Sequence, residues 1–266
     1  MAEDNFVLKA ENISKRFINP AGASLSVLQQ TSLYVKEGEL LCILGPSFSG
    51  KSTLLRILAG IEEPDSGSVQ FAQYENLRAN LALIPSEPSS LPWLNVRENV
   101  RLGLKEAEKE EEVLKGRISR AISTVGLEGY ESHIPANKST GFRFRIALAR
   151  ALAMDPKVIL IDDPLRDLLP ERKIGYYGLI RDILSKEKVS IVWVTTDVTE
   201  ALLLSERILV LASKPGRIMK EFSLGKRSLP GPADLEKEEY CRIRKEIETL
   251  FYAGFREFSP GIGGLG

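Results

Sequence analysis

Short apolar runs separated by amphipathic stretches set the plan of this 266-residue chain. Phe6-Val-Leu-Lys-Ala-Glu-Asn-Ile13 alternates loosely, Ser26 to Val35 follows, and Glu37-Gly38 marks a turn, so the first quarter predicts short strands. Leu40-Leu-Cys-Ile-Leu44 is a continuous apolar run, the pattern of a strand covered on both faces. From Lys51 the spacing turns helical, with Leu54, Leu55, Ile57 and Leu58 in register and Gly60 as a stop. Ile118 to Val125 predicts an amphipathic helix, and Ile146 to Met154 a strong one ended by Asp155-Pro156. Val158 to Ile161 and Val189 to Val194 are two more buried strands, closing in Asp162-Asp163-Pro164 and Thr195-Thr196-Asp197. Strands alternating with helices predict an α/β fold with a parallel sheet. Glu106 to Glu112, dense in Glu and Lys, predicts a solvated helix face or a surface loop. Leu229-Pro-Gly-Pro232 predicts a linker, Leu235 to Tyr252 a charged helix, and Ser259 to Gly266 a loose tail.

Composition narrows the chemistry. Lys+Arg and Asp+Glu number 36 each, so no global charge draws the chain to nucleic acid or anionic lipid. Cys42 and Cys241 are the only cysteines and His133 the only histidine, which excludes a disulfide framework, a Cys-based zinc site and any mechanism needing two imidazoles. The first residues lack the basic and apolar regions of a signal peptide, and no apolar run approaches the roughly 18 residues of a membrane span. The expectation is a soluble, cytoplasmic protein.

Gly45-Pro46-Ser47-Phe48-Ser49-Gly50-Lys51-Ser52 fits the pattern G-x-x-x-x-G-K-[ST], follows a predicted strand and opens a predicted helix. Successive backbone N–H groups and a helix N-terminus in that context make an anion cradle for phosphates, here running from Gly45 to Thr53. Lys51 is placed to meet the β- and γ-phosphates of a nucleotide and the Ser52 hydroxyl to ligate Mg²⁺. Val158 to Asp162 puts a carboxylate at the C-terminal end of a buried strand, where open α/β sheets bind ligands, and Asp162 is the second candidate Mg²⁺ ligand.

With these motifs the chain resembles the nucleotide-binding subunit of an ATP-binding-cassette (ABC) transporter from Leu8 to about Phe222. Within that superfamily it is most similar to the importer ATPases for nitrate, sulfonate and taurine, through Glu87-Pro-Ser-Ser-Leu-Pro-Trp93-Leu-Asn-Val-Arg-Glu-Asn99 and Lys214-Pro-Gly-Arg-Ile218. The resemblance implies a P-loop NTPase core with a mixed sheet, an N-terminal antiparallel β-subdomain and a helical subdomain over about 88–153. The ATP-binding domain would span 1–228, with 229–266 as linker, C-terminal helix and tail. It also implies ATP and Mg²⁺ as ligands and a membrane permease as partner, reached through the loop around Trp93. The location implied is the cytoplasmic face of the membrane. Phe17 stands where the family places an aromatic on adenine, a core phenylalanine being the alternative.

The family's ATPases sandwich each nucleotide between one chain's P-loop and the other chain's signature segment, and here the chain departs from the pattern. The signature, normally Leu-Ser-Gly-Gly-Gln, is Lys138-Ser139-Thr140-Gly141-Phe142, in which Ser139 and Gly141 can still offer a hydroxyl and an N–H across a dimer. Ser86 replaces a Gln that senses Mg²⁺ and the attacking water, and Asp163 a Glu that polarises that water. Thr196 replaces a His that grips the γ-phosphate, and Leu169 an Asp that couples the two sites. Phe48 stands at a usual Gly, which costs of the order of 1–3 kcal/mol if the position requires φ > 0. Binding needs the cradle and the metal ligand, whereas cleavage needs the water-orienting set as well. The expectation is an ATP-binding, weakly hydrolysing subunit that prefers a heterodimer with a competent second ATPase subunit. A fully active transport ATPase is the alternative, and a soluble cassette acting on nucleic acid a remote one. Arg143 and Arg145 suit phosphates or a solvated helix edge equally, and His133 predicts a loop residue.

Overall fold

The continuous apolar runs become the middle of a six-stranded sheet in the computed structural model. It describes residues 6–18, 22–71, 80–87, 90–104, 110–213, 215–225 and 232–256. Strands β3 (Leu40–Leu44), β6 (Val158–Asp162), β7 (Ser190–Thr195) and β8 (Arg207–Leu211) are buried at every residue. With β5 (Leu81–Ile84) and β9 (Ile218–Ser223) the sheet order is β5-β6-β7-β3-β8-β9, parallel throughout except where β9 runs back along β8. Strands covered on both faces need no polar side, which is why they are unbroken apolar runs in the sequence. A second sheet, order β2-β1-β4, is antiparallel and built from β1 (Phe6–Ile18), β2 (Ser24–Lys36) and β4 (Ser66–Phe71). The loose alternation of its first strand has a cause. The register between β1 and β2 shifts between Ala10 and Ile13, and Asn12 and Gln30 sit at φ 53° and 45°, so bulges interrupt the period of two.

The two faces of β3 separate two hydrophobic cores. Leu41 and Ile43 point to α1 (Lys51–Leu58) and the antiparallel sheet, packing with Leu54, Leu55, Leu58 and Val35. Leu40, Cys42 and Leu44 face the opposite way, toward Phe144, Trp193, Leu202 and Leu204. That second layer is made by α4 (Thr140–Ala153), α5 (Pro170–Lys186), α6 (Val198–Leu204) and α7 (Glu238–Arg256), while α2 (Val96–Arg101) and α3 (Glu111–Thr124) pack on α4.

Three boundaries differ from the sequence expectation. Helix α3 begins at Glu111 rather than Ile118, because Glu111 and Glu112 suit the positive end of the helix and Leu114 and Ile118 bury on one face. Helix α4 begins at Thr140, where Ser139 caps it. The expected helix from Leu235 opens as a 3₁₀ turn over Pro232–Glu236 and becomes α-helical from Glu238. Helix α7 is no detached appendage: Ile247 and Phe251 bury in the same core as Trp193. Most of the 106–112 charge run, Pro88 and Ser89, Lys214, the Leu229–Gly231 part of the linker and the tail from Ser259 lie outside the described residues.

Candidate functional site

The loop between β3 and α1 is the P-loop of the sequence, and its geometry follows from local backbone demands. Gly50 is the residue before the helix at φ 89°, and a Cβ there would lie 2.9 Å from the Val27 carbonyl oxygen. No side chain caps α1 and no acidic residue occupies its first turn, so its leading N–H groups remain for an anion. Lys51 folds its ammonium back under the loop, donating to the carbonyls of Gly45 (2.8 Å) and Pro46 (2.7 Å) and to Ser49 Oγ (3.3 Å). Burial lowers this lysine to about 8, with Asp163 and Asp162 pulling the other way. The Ser52 hydroxyl donates to Asp162 Oδ1 at 3.0 Å, joining the start of α1 to the end of β6.

A cavity of about 480 Å³ is lined by Ser47, Phe48, Ser49, Gly50, Lys51, Ser52 and Thr53, by Asp162 and Arg166, and by Leu25, Ser26 and Val27 of β2. The two candidate Mg²⁺ ligands, a hydroxyl and a carboxylate, therefore stand together at the mouth of a backbone cradle holding one buried cation. That donor set fits a magnesium-bound polyphosphate. Phe17 pairs with Leu25 across the hairpin but stays outside the lining, with the Lys15 ammonium 5.2 Å from its ring centre. Phe48 occupies the left-handed region at φ 63°, as the glycine pattern implies, and the residue is 87% exposed.

The residues expected to act on water lie along the C-terminal ends of neighbouring strands. Ser86 follows β5 and is exposed. Thr196 follows β7 and is half-buried. The turn carrying it is held by a buried network: Asp197 accepts from the Thr199 and Glu200 N–H groups. Glu200 accepts from Trp193 Nε1 (2.6 Å) and Tyr177 (3.0 Å), and pairs with Lys173 at 3.3 Å. Asp163 is 2% exposed at φ 44°, donates its N–H to the Val194 carbonyl at 3.0 Å, and accepts Arg166 Nε on Oδ2 at 3.0 Å. Burial pushes its carboxyl up, against the pull of Arg166, Lys173 and Lys51.

Ser139 and Gly141 are not brought to this cavity. The Ser139 hydroxyl accepts from Phe142 N–H at 3.3 Å, and Gly141 is buried beneath Tyr176, whose hydroxyl a Cβ at that position would strike. Leu169, exposed, precedes α5 without a side-chain cap. Trp93 is exposed beside a capping box in which Asn95 and Glu98 bond each other's backbone. Buried Asn99 ties that loop to helix α4, accepting from Arg150 at 2.8 Å and donating to Leu91 and Leu94 carbonyls. Asn137-Lys138 and Arg143 bring no further group to the cavity.

Sequence reasoning missed two parts of the wall and one brace behind the cradle. Residues Leu25 to Val27 carry no chemical signal. Gly216 was legible only as part of Lys214–Ile218, yet it holds the cradle: its N–H donates to Val27 O at 2.8 Å, its carbonyl accepts from Gln29 at 2.9 Å, and a Cβ there would strike the Ser49 carbonyl. Arg166 had a signal, a base three residues after Asp163.

Residues 28–166 match a family model described as ABC transporter. A taurine import ATP-binding protein of Ruegeria pomeroyi is 36% identical over 251 residues, covering 92% of this chain and 94% of that relative. A nitrate import ATP-binding protein of Synechocystis sp. is 33% identical over 248 residues, covering 92% of each chain. Among solved structures, the dimeric post-hydrolysis state of the ATP-binding cassette MJ0796, bound to ADP and Pi, is similar with a TM-score of 0.70 and 27% identity. The match covers 83% of this chain and 99% of that one.

Proposed function

This chain belongs to the ABC transporter family, and from that membership we propose that it is the MgATP-binding subunit of a small-solute importer with little hydrolysis of its own. The observation that carries the reading is a contrast within one site. The binding set, Lys51, Ser52 and Asp162, stands within hydrogen-bonding reach of its partners around the cavity. The water-orienting set does not: Ser86 is a short exposed hydroxyl, Thr196 a neutral one, and Asp163 is spent on Arg166. The P-loop N–H groups and Lys51 would hold the phosphates and Ser52 and Asp162 the Mg²⁺, which supplies charge neutralisation of the phosphate oxygens when bound. Asp163, one methylene shorter than Glu, starts more than about 1 Å back, and a misplacement of that size can cost on the order of 10²-fold in rate.

Partner expectations follow from the same residues. A second copy would offer Lys138 to Phe142 to this cavity, with branched Thr140 where backbone must approach closely and Gly141 under Tyr176. A heterodimer with a second cassette bearing an unaltered signature is therefore the favoured assembly. Trp93, 68% exposed on a loop braced by Asn99, suits a membrane permease as the other partner, on the cytoplasmic face. No helix among the described residues is long and apolar enough to cross a membrane. Taurine and nitrate importers among the relatives support a small solute as the transported class.

Calorimetric titration with MgATP beside a phosphate-release assay tests the reading. Saturable binding, lost in Lys51→Ala, with release close to the Lys51→Ala background is expected, and the pair Asp163→Glu with Thr196→His should raise release. Transporter-like turnover by the wild-type chain, abolished by Lys51→Ala, overturns it.

A further inference from the structure

Arg166 lies where two features of the site meet. It lines the cavity that Lys51, Ser52 and Asp162 also line, and its side chain is 56% exposed. Its Nε also holds Asp163 Oδ2, on the carboxylate that the family resemblance assigns to the water, at 3.0 Å. The contact is produced by the backbone. Asp163 takes a left-handed φ of 44°, conformational strain that Asp tolerates better than most residues, and the chain then turns so that position 166 comes back over position 163. The Asp163 carboxylate is almost wholly out of solvent, so a guanidinium at hydrogen-bond distance is a strong competitor for its lone pairs. The charge of Arg166 is also felt at Lys51, whose ammonium it disfavours.

We propose that Arg166 is a positioning residue that clamps the Asp163 carboxylate and keeps it from orienting water at the phosphate end of the cavity. The contact commits Asp163 Oδ2 to Arg166 Nε, so that oxygen accepts from the guanidinium rather than from a water. The brake is thus made within this chain and adds to the shortening of the Asp163 side chain. The inference rests on the reading of the cavity as a MgATP site.

The test uses the full chain carrying Arg166→Gln, which keeps length and polarity, Arg166→Ser, which removes the reach, and Arg166→Lys, which keeps the charge. In crystals of the nucleotide-free protein, the Asp163 carboxylate should leave the position it takes beside Arg166 Nε in Arg166→Gln and keep it in Arg166→Lys. With MgATP, Arg166→Ser and Arg166→Gln should raise kcat about 10-fold, a modest part of what a positioned general base supplies, with KM little changed. Arg166→Lys should stay near wild type, and the gain should vanish in Arg166→Ser combined with Asp163→Asn. An Asp163 carboxylate that stays in place in Arg166→Gln overturns the clamp. So does a kcat that stays level while KM rises, which would make Arg166 a phosphate-binding group, and so does a gain that survives Asp163→Asn. If neither wild type nor any variant binds MgATP, the functional reading fails instead, and the position of the Asp163 carboxylate still judges the clamp.

Discussion

Replacing Phe48 by glycine removes an exposed ring from a left-handed backbone position, and the nucleotide-free chain should become more stable. Phe48 sits at φ 63°, where an L side chain costs about 1–2 kcal/mol through the approach of Cβ to the following carbonyl. Glycine escapes that cost but loses more backbone freedom on folding, roughly 0.5–1 kcal/mol. Packing adds little on either side. Full burial of a Phe side chain contributes about 1.5–3 kcal/mol, and with 87% of this residue exposed only a few tenths are at stake. The strain term therefore wins by about 0.5 kcal/mol. Equilibrium urea denaturation of wild type and Phe48→Gly, with the slope unchanged and the midpoint raised, is the expected result. A midpoint that falls would refute the reasoning. It would mean either that the loop relaxes its strain in solution or that the ring covers a surface worth more than the backbone cost.

Three further outcomes follow from the loop and the glycine packed behind it. Because burial lowers Lys51 to about 8, the folded chain carries a desolvated ammonium below that pH and sheds the cost above it. This group's contribution to nucleotide-free stability should therefore rise from about pH 8 toward the unfolded lysine value, 10.5. Phosphates favour the charged form, so MgATP affinity should weaken and binding should take up protons as the pH climbs past 8. Calorimetry in buffers of different ionisation enthalpy reads both, and a Kd flat from pH 7 to about pH 9.5 would contradict the lowered value. Gly216→Ala would push a Cβ into the Ser49 carbonyl and to 3.0 Å from the Val27 carbonyl, backbone atoms that cannot swing aside. Overpacking of this kind costs about 1–3 kcal/mol. Denaturation should show the loss and MgATP titration a weaker cradle, whereas a variant unchanged in both would mean the loop is free to shift.

What could be read without coordinates was whatever is encoded over a short stretch of chain. Leu40–Leu44 and Val158–Asp162 announced buried strands because both of their faces are covered, and Gly45 to Ser52 announced an anion cradle because eight adjacent residues make one. Phe48 stands at a usual glycine of the family, and its φ of 63° meets the condition that substitution raised. Helix ends were less legible. Charged Glu111 and the 3₁₀ turn at Pro232–Glu236 are set by end effects and by what packs beneath them, to which hydrophobic spacing is blind.

By itself, then, the amino-acid sequence determined the α/β plan, the phosphate cradle and its two metal-binding candidates, because local backbone geometry and side-chain periodicity dictate them. Only the tertiary structure decided that β2 walls the cavity and that Gly216, 185 residues from the Thr31 that reaches it, braces the cradle from behind. It alone decided that Tyr176 covers Gly141 and that Arg166 takes the carboxylate of Asp163. Those contacts depend on how separate segments are laid against one another by the burial of two apolar faces, and on one left-handed residue that redirects a turn. Neither leaves a mark in the order of hydrophobic and polar positions.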